Sequence, residues 1–320
     1  MSNAGGRILL AAALLAACTS ADETTASGAH ATSRQAPAAM REAFEQARNA
    51  LLAFAAPLGA HERTALVVDL DEDDPRFAAK ADVVKPSAEE AAQGVRFRRR
   101  IVVRAGVLSE PVLSADGLAL LLCHELGHHY GGYPFQRSDG LTSAEGSADY
   151  YATRACGPAV LRAYRADEPA PTDALPGSCR STRDPAFCGR LAAASLSLVR
   201  ALHAHIEEAP ETVPPYASTN AEPSLVEHDE FEVERTVAGR YPSLQCRLDT
   251  MVRGALCGLG ASTVPEGLVT PAETERDALG RSCSVASFEP GARPRCWFHE
   301  GSMPTGLSEP IEEVWRGRSP

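Results

Sequence analysis

An α+β fold, mostly helical with a small, mainly antiparallel sheet, is what this 320-residue sequence predicts. Three observations lead there. Long segments repeat apolar residues at helical spacing, most clearly 38–54 (Met40, Phe44, Ala47, Leu51, Phe54) and 190–206 (Leu191, Leu198, Leu202, Ile206). Segments of strand character are short and few: 65–70, and 95–103, where Val95 and Phe97 alternate with arginines ahead of Ile101-Val102-Val103. The run 117–123 (GLALLLC) is almost wholly apolar, so its helix must pass through a core that other elements cover.

The chain opens with Arg7 before ten apolar residues, 8–17, ending Leu15-Ala16-Ala17-Cys18. That length suits a signal-peptide core and falls short of the roughly twenty residues that span a bilayer. Leu-Ala-Ala-Cys resembles the bacterial lipobox, which implies cleavage before Cys18 and lipidation of that residue; an ordinary signal peptide cut at another small residue is the alternative. Residues 18–37, rich in Ser, Thr and Ala, read as a flexible tether.

The helix 38–54 and the strand 65–70 follow. The acidic stretch 69–75 lacks the ligand spacing and glycine of an EF-hand and reads as a turn. The arginines of 96–104 read as the outward face of the second strand. Ser114 is placed to cap the next helix with Asp116 in its first turn, and Gly131-Gly132 followed by Pro134 ends it. A polar loop, 133–141, leads to a further helix over 142–152. Residues 190–206 form a helix whose His203 and His205 lie on different faces and are structural. Residues 210–223 are a linker or cleft loop, and 227–237 an acidic helix. From about 258 onward Gly, Pro and Ser dominate.

Chemistry concentrates at His124-Glu125-Leu126-Gly127-His128. Residues four apart on a helix share a face, with Cβ atoms about 5–6 Å apart, so His124 and His128 can grip one small cation. Glu125 lies roughly 100° further round the turn, beside the cation's open position. Two imidazoles, one carboxylate and water around Zn²⁺ make a hydrolytic site. In the next helix Glu145 and Asp149 are also four apart. Glu145 is the expected third ligand, and Asp149 the acceptor that fixes the tautomer of a ligating histidine. Thr142-x-x-Glu145 is also a capping box, which would leave Glu145 on backbone N–H groups.

Glu145-x-x-Ala148-Asp149 after the His-Glu-x-x-His pentad resembles the gluzincin-type zinc peptidases that include HtpX and the CAAX prenyl endopeptidases. Residues 100–108 (RIVVRAGVL) resemble the strand and turn before the zinc helix of that family. Residues 241–248 (YPSLQCRL) resemble its downstream segment, where a His-Pro pair precedes an Arg; here Tyr241 stands in the His position. The resemblance implies a zincin-like metallopeptidase fold, a substrate-pairing strand just before the metal helix, and transition-state support from Tyr241 or Arg247. The domains expected are a signal peptide (1–17), the tether (18–37), a metallopeptidase domain (38–257) and a cysteine-stapled, loop-rich extension (258–320).

Nine cysteines less Cys18 leave eight, an even number in a chain sent to an oxidising compartment. Three closely spaced pairs, Cys179–Cys188, Cys246–Cys257 and Cys283–Cys296, leave Cys123 with Cys156, which would staple the two site helices. A second zinc in the cysteine-rich C-terminal half is the competing reading.

The net charge of −11 speaks against a nucleic-acid partner. The expected function is peptide-bond hydrolysis at the bacterial cell envelope, facing the periplasm. Zn²⁺ is the cofactor, a protein or peptide the substrate, and Glu125 the general base toward zinc-bound water; Cys18 supplies the membrane anchor. A non-catalytic zinc-binding lipoprotein acting as scaffold or chaperone, and a zinc hydrolase acting on cell-wall peptides, are the alternatives.

Overall fold

Helix α1 (Ala38–Glu62) carries the amphipathic pattern of 38–54 two turns further, with Pro57 inside it, and buries Phe44, Ala47, Leu51, Ala55 and Leu58. The computed structural model describes residues 36–136, 142–164, 176–208, 222–238, 241–259, 282, 283, 285 and 289–300. Cys18, the signal segment and nearly all of the tether lie outside the described residues.

After α1 the chain runs through β1 (Thr64–Asp71), β2 (Ala79–Val84), the short α2 (Ala88–Ala92), β3 (Phe97–Arg104) and the one-turn α3 (Ala105–Leu108). The strands form one sheet in the order β1-β3-β2. β1 pairs with β3 in parallel, from Thr64↔Phe97 to Asp71↔Arg104. β2 pairs with β3 antiparallel, from Ala79↔Val103 to Val84↔Arg98. The sheet is therefore mixed rather than mainly antiparallel. Alternation along 65–70 and 95–103 reports which side of a strand is buried but not the direction of its neighbour.

The arginines of β3 do not make a free basic face. Arg98 pairs with Glu90, Arg100 with Asp82 and Arg104 with Asp74. Arg99 points inward on the same side as Ile101 and Val103 and is buried. It donates to Glu62 at the end of α1 (2.7 Å) and to the His129 carbonyl near the end of helix α4 (Ala115–Tyr130; 2.6 Å), and its guanidinium lies 4.4 Å from the Tyr130 ring centroid. One side chain thus ties α1, the sheet and α4 together.

That helix, α4 (Ala115–Tyr130), is buried along almost its whole length. Ser114 caps it by accepting from Gly117 N (3.0 Å). Asp116 in its first turn is held bidentately by Arg190 of α7 (Pro185–Glu208), at 2.7 and 3.0 Å. The next helix begins at Glu145, not Thr142. α5 (Glu145–Tyr151), a π-helical turn (Ala152–Cys156) and α6 (Gly157–Tyr164) follow one another without a break. α8 (Leu244–Leu259) packs against α5 and α7.

Two sequence expectations are corrected in the C-terminal half. Residues 227–237 are not helical, because their backbone donors are taken from outside. Asp229 N donates to Asp249 of α8, Val233 N to the Arg295 carbonyl and Val237 N to the Trp297 carbonyl. The disulfides are Cys123–Cys156 and Cys179–Cys188, as expected, but then Cys246–Cys296 and Cys257–Cys283. Cys246 and Cys257 both lie in α8, roughly 16 Å apart at 1.5 Å per residue, and cannot bond to each other. With all eight in disulfides, no thiolate is left for a second zinc. Residues 289–300 pack on the site helices: Trp297 is fully buried against Gly146, and its Nε1 donates to Thr250.

Candidate metal centre

α4 places His124 and His128 one turn apart, with ring centroids 4.7 Å from each other. Each ring is held at Nδ1. His124 Nδ1 lies 2.8 Å from Asp149 Oδ1, and His128 Nδ1 lies 2.8 Å from the Ser143 carbonyl oxygen. In the neutral ring, an Nδ1–H donating to such an acceptor leaves Nε2 as the lone-pair nitrogen. Both imidazoles therefore present the same atom to the same space. Asp149 stands where the sequence put it. The Ser143 carbonyl had no sequence signal, because any residue supplies one.

Glu145, the first residue of α5, closes the group. Its Oε2 is 3.3 Å from His124 Nε2 and its Oε1 is 3.6 Å from His128 Nε2. The capping-box alternative fails, since the N-cap of α5 is Ala144 and no side chain caps it. Gln136 Nε2 donates to Glu145 Oε1 (3.1 Å), a contact not foreseen.

Close approach of the helices makes this reach possible. A Cβ on Gly127 would lie 2.7 Å from the Ala148 Cα, so the glycine inside the pentad lets α5 lie directly on α4. The Cys123–Cys156 disulfide, one residue before His124, ties α4 to the π-helical turn that continues α5.

Fit to a cation can be tested on the donor set itself. Four-coordinate zinc with bonds of about 2.0–2.2 Å has ligand-to-ligand edges of roughly 3.4 Å, and the two observed N···O separations bracket that value. His124, Glu125 and His128 each also offer an atom within 4.8 Å of the others. Glu145 is the better third ligand, because its oxygens sit against both Nε2 atoms.

Electrostatics point the same way. Burial would lower the pKa of His124, but the carboxylates of Asp149 and Glu145 outweigh it and raise the value to about 10. Burial opposes ionisation of Glu145, yet the two imidazoles and Arg247 hold it well below the usual carboxylate range. Such a cluster calls for a positive charge between its carboxylates, which a proton or a metal cation can supply. The residues fit a metal ion.

Glu125 differs from its neighbours. It is 5% exposed, burial raises its pKa, and it accepts no hydrogen bond from the described residues. It lines the cleft with the metal-binding group. Arg247 is buried and grips Asp149 with two 2.8 Å bonds, from Nε to Oδ2 and from Nη2 to Oδ1. Its Nη2 also lies 3.5 Å from Glu145 Oε2. In this structure its direct task is to brace Asp149. Tyr241 is half-exposed at the cleft, where the Glu145 carboxylate and then burial raise its phenol pKa.

The cleft encloses about 280 Å³. Leu121, Leu198, Leu202 and Phe77 make an apolar part of its wall, and Ala79, Lys80 and Ala81 of β2 line another side. This corrects the expectation that β3 borders the cleft: β3 is central, paired on both sides, and β2 is the edge. Arg104 N donates to the Ala78 carbonyl (3.0 Å), so Ala78↔Arg104 and every second pair onward are the hydrogen-bonded ones. The N–H and C=O groups of Ala79 and Ala81 therefore face the free edge. The sequence hid β2, whose ADVV core is short and adjoins an acidic turn.

The chain matches no protein-family model, no curated protein and no solved structure.

Proposed function

We propose that this chain is a zinc-dependent metallopeptidase of the kind its motif resembles, anchored at the bacterial cell envelope through a lipid on Cys18. One observation carries the reading. His124, His128 and Glu145 converge their donor atoms beside a second carboxylate, Glu125, that is buried, without a hydrogen-bond partner among the described residues, and open to a cleft.

His124, His128 and Glu145 would hold the ion, and Asp149 and the Ser143 carbonyl would keep the imidazoles in the right tautomer. Bound there, zinc would supply Lewis acidity toward a carbonyl oxygen and toward water. Glu125 then has the task its environment suits: its raised pKa lets the carboxylate take a proton from water and return it to the leaving amine. Tyr241 can donate its hydroxyl to oxygen charge developing at the cleft mouth. An extended peptide would lie along β2, exchanging backbone hydrogen bonds with Ala79 and Ala81. The unpartnered state of Glu125 favours this reading over a structural zinc site, which is closed by protein ligands.

Two measurements test it together. Purified chain should carry stoichiometric zinc by elemental analysis, and a His128→Ala variant should not. Digestion of unstructured peptides should occur with wild type and cease with Glu125→Gln while zinc is retained. Cleavage that survives Glu125→Gln would sink the mechanism.

A further inference from the structure

Four arginines are buried among the described residues: Arg99, Arg190, Arg247 and Arg293. The first three hold carboxylates, on Glu62, Asp116 and Asp149. Arg293, only 6% exposed, forms no ion pair with any described residue. Its guanidinium lies 4.9 Å from the Phe298 ring centroid, 5.2 Å from Tyr150 and 5.6 Å from Trp297. Nη1 donates to the Tyr133 carbonyl (3.1 Å), while Nε is buried without a partner. Nη2 is neither hydrogen-bonded nor buried, and it is the atom left to meet the cavity that Arg293 lines.

That cavity encloses about 630 Å³, is separate from the metal cleft, and is bordered by 228–232, α8 and 293–300. Its mouth carries two large apolar side chains in water, Phe231 at 67% and Val285 at 55% exposure. Acidic residues also line it, but most are engaged. Glu232 pairs with Arg295, Asp249 accepts from Asp229 N and Gln245, and Glu300 accepts from Val285 N. Their charge disfavours a phosphate or polyanion and leaves room for one negative charge at Arg293. An uncompensated buried cation is expensive, and a planar carboxylate is the partner a guanidinium fork matches.

We propose that this cavity binds a carboxylate carried on an apolar group, such as the C-terminus of a peptide ending in an apolar residue. Arg293 is the anchor, and Phe231 with Val285 forms the apolar wall. The site does not depend on zinc or on the peptidase reading.

The test is titration calorimetry on the full, chelator-treated chain with three probes: a hexapeptide ending in Leu as free acid, the same peptide amidated, and N-acetylleucine. The free-acid peptide should bind at least about tenfold more tightly than the amide, the worth of one charge-assisted pair. Arg293→Met should abolish that preference. Phe231→Ser, on an exposed side chain that cannot affect folding greatly, should weaken the acid peptide several-fold. N-acetylleucine binding as well as the peptide would assign the site to small organic acids of the same chemistry, and weaker binding to peptide C-termini. Equal binding of acid and amide, no binding up to about 1 mM, or an acid preference that persists in Arg293→Met would overturn the proposal. If Arg293→Met does not fold, an affinity unchanged in Phe231→Ser overturns it.

Discussion

His124, His128 and His129 sit within six residues, yet their surroundings assign them different states. The first two have acceptors at Nδ1 and Nε2 atoms facing the Glu145 carboxylate. His129 points the other way, with Nε2 3.3 Å from the Arg100 carbonyl. Burial, aided by the nearby Arg99 cation, depresses its pKa to about 3. The folded chain therefore needs His129 neutral, while the unfolded chain takes up a proton below about 6.5. Its stabilising contribution is complete above that value and declines as pH falls toward 3. Between pH 7 and pH 5 this one group should cost about 2 kcal/mol. Urea unfolding of chelator-treated chain should show that drop in wild type, and a drop smaller by this amount in His129→Gln. Parallel pH profiles for the two would refute it.

Site geometry depends on how closely α5 lies on α4. The Gly127–Ala148 contact sets that separation, and the Glu145 carboxylate reaches the imidazoles only because both residues are small. In Gly127→Ala the added methyl meets the α5 backbone, and Glu145 must retreat by a few tenths of an ångström or more. Misplacing a ligand or its support typically lowers metal affinity by about 10–100-fold. Competition with a chromogenic chelator should show a loss in that range for Gly127→Ala, with helical circular dichroism retained. An affinity equal to wild type would mean the helices are not held at contact distance. The same elements mark where the sequence was legible. α4 and β3 have long apolar patterns, and Ser114 announces its cap. β2 and the 152–156 π-turn lack such signals, and 227–237 looked helical only because its backbone partners lie elsewhere in the chain.

Covalent links distribute over the molecule so that each site segment is tied to a distant one. Cys123–Cys156 closes a loop of 33 residues that contains His124, His128 and Glu145. Cys246, next to Arg247, is tied to Cys296, next to the buried Trp297. The chain-entropy argument gives about 4 kcal/mol for a loop of the first size. Replacing both Cys123 and Cys156 by Ser should lower the unfolding free energy by roughly that amount and weaken zinc binding with it. A double variant within 1 kcal/mol of wild type in denaturant titration would show that packing alone holds α4 to the π-turn.

The primary structure by itself determined the side chains of the candidate metal site. The i, i+4 spacing of a helix places His124 with His128 and Glu145 with Asp149 whatever surrounds them, so local geometry suffices. It also determined that eight cysteines could pair. Only the tertiary structure decided which cysteines did, which strand edges the cleft, and that Arg247 braces Asp149 while Arg293 has no acid partner among the described residues. Those outcomes depend on which distant segments come within a few ångströms, and no local pattern encodes that.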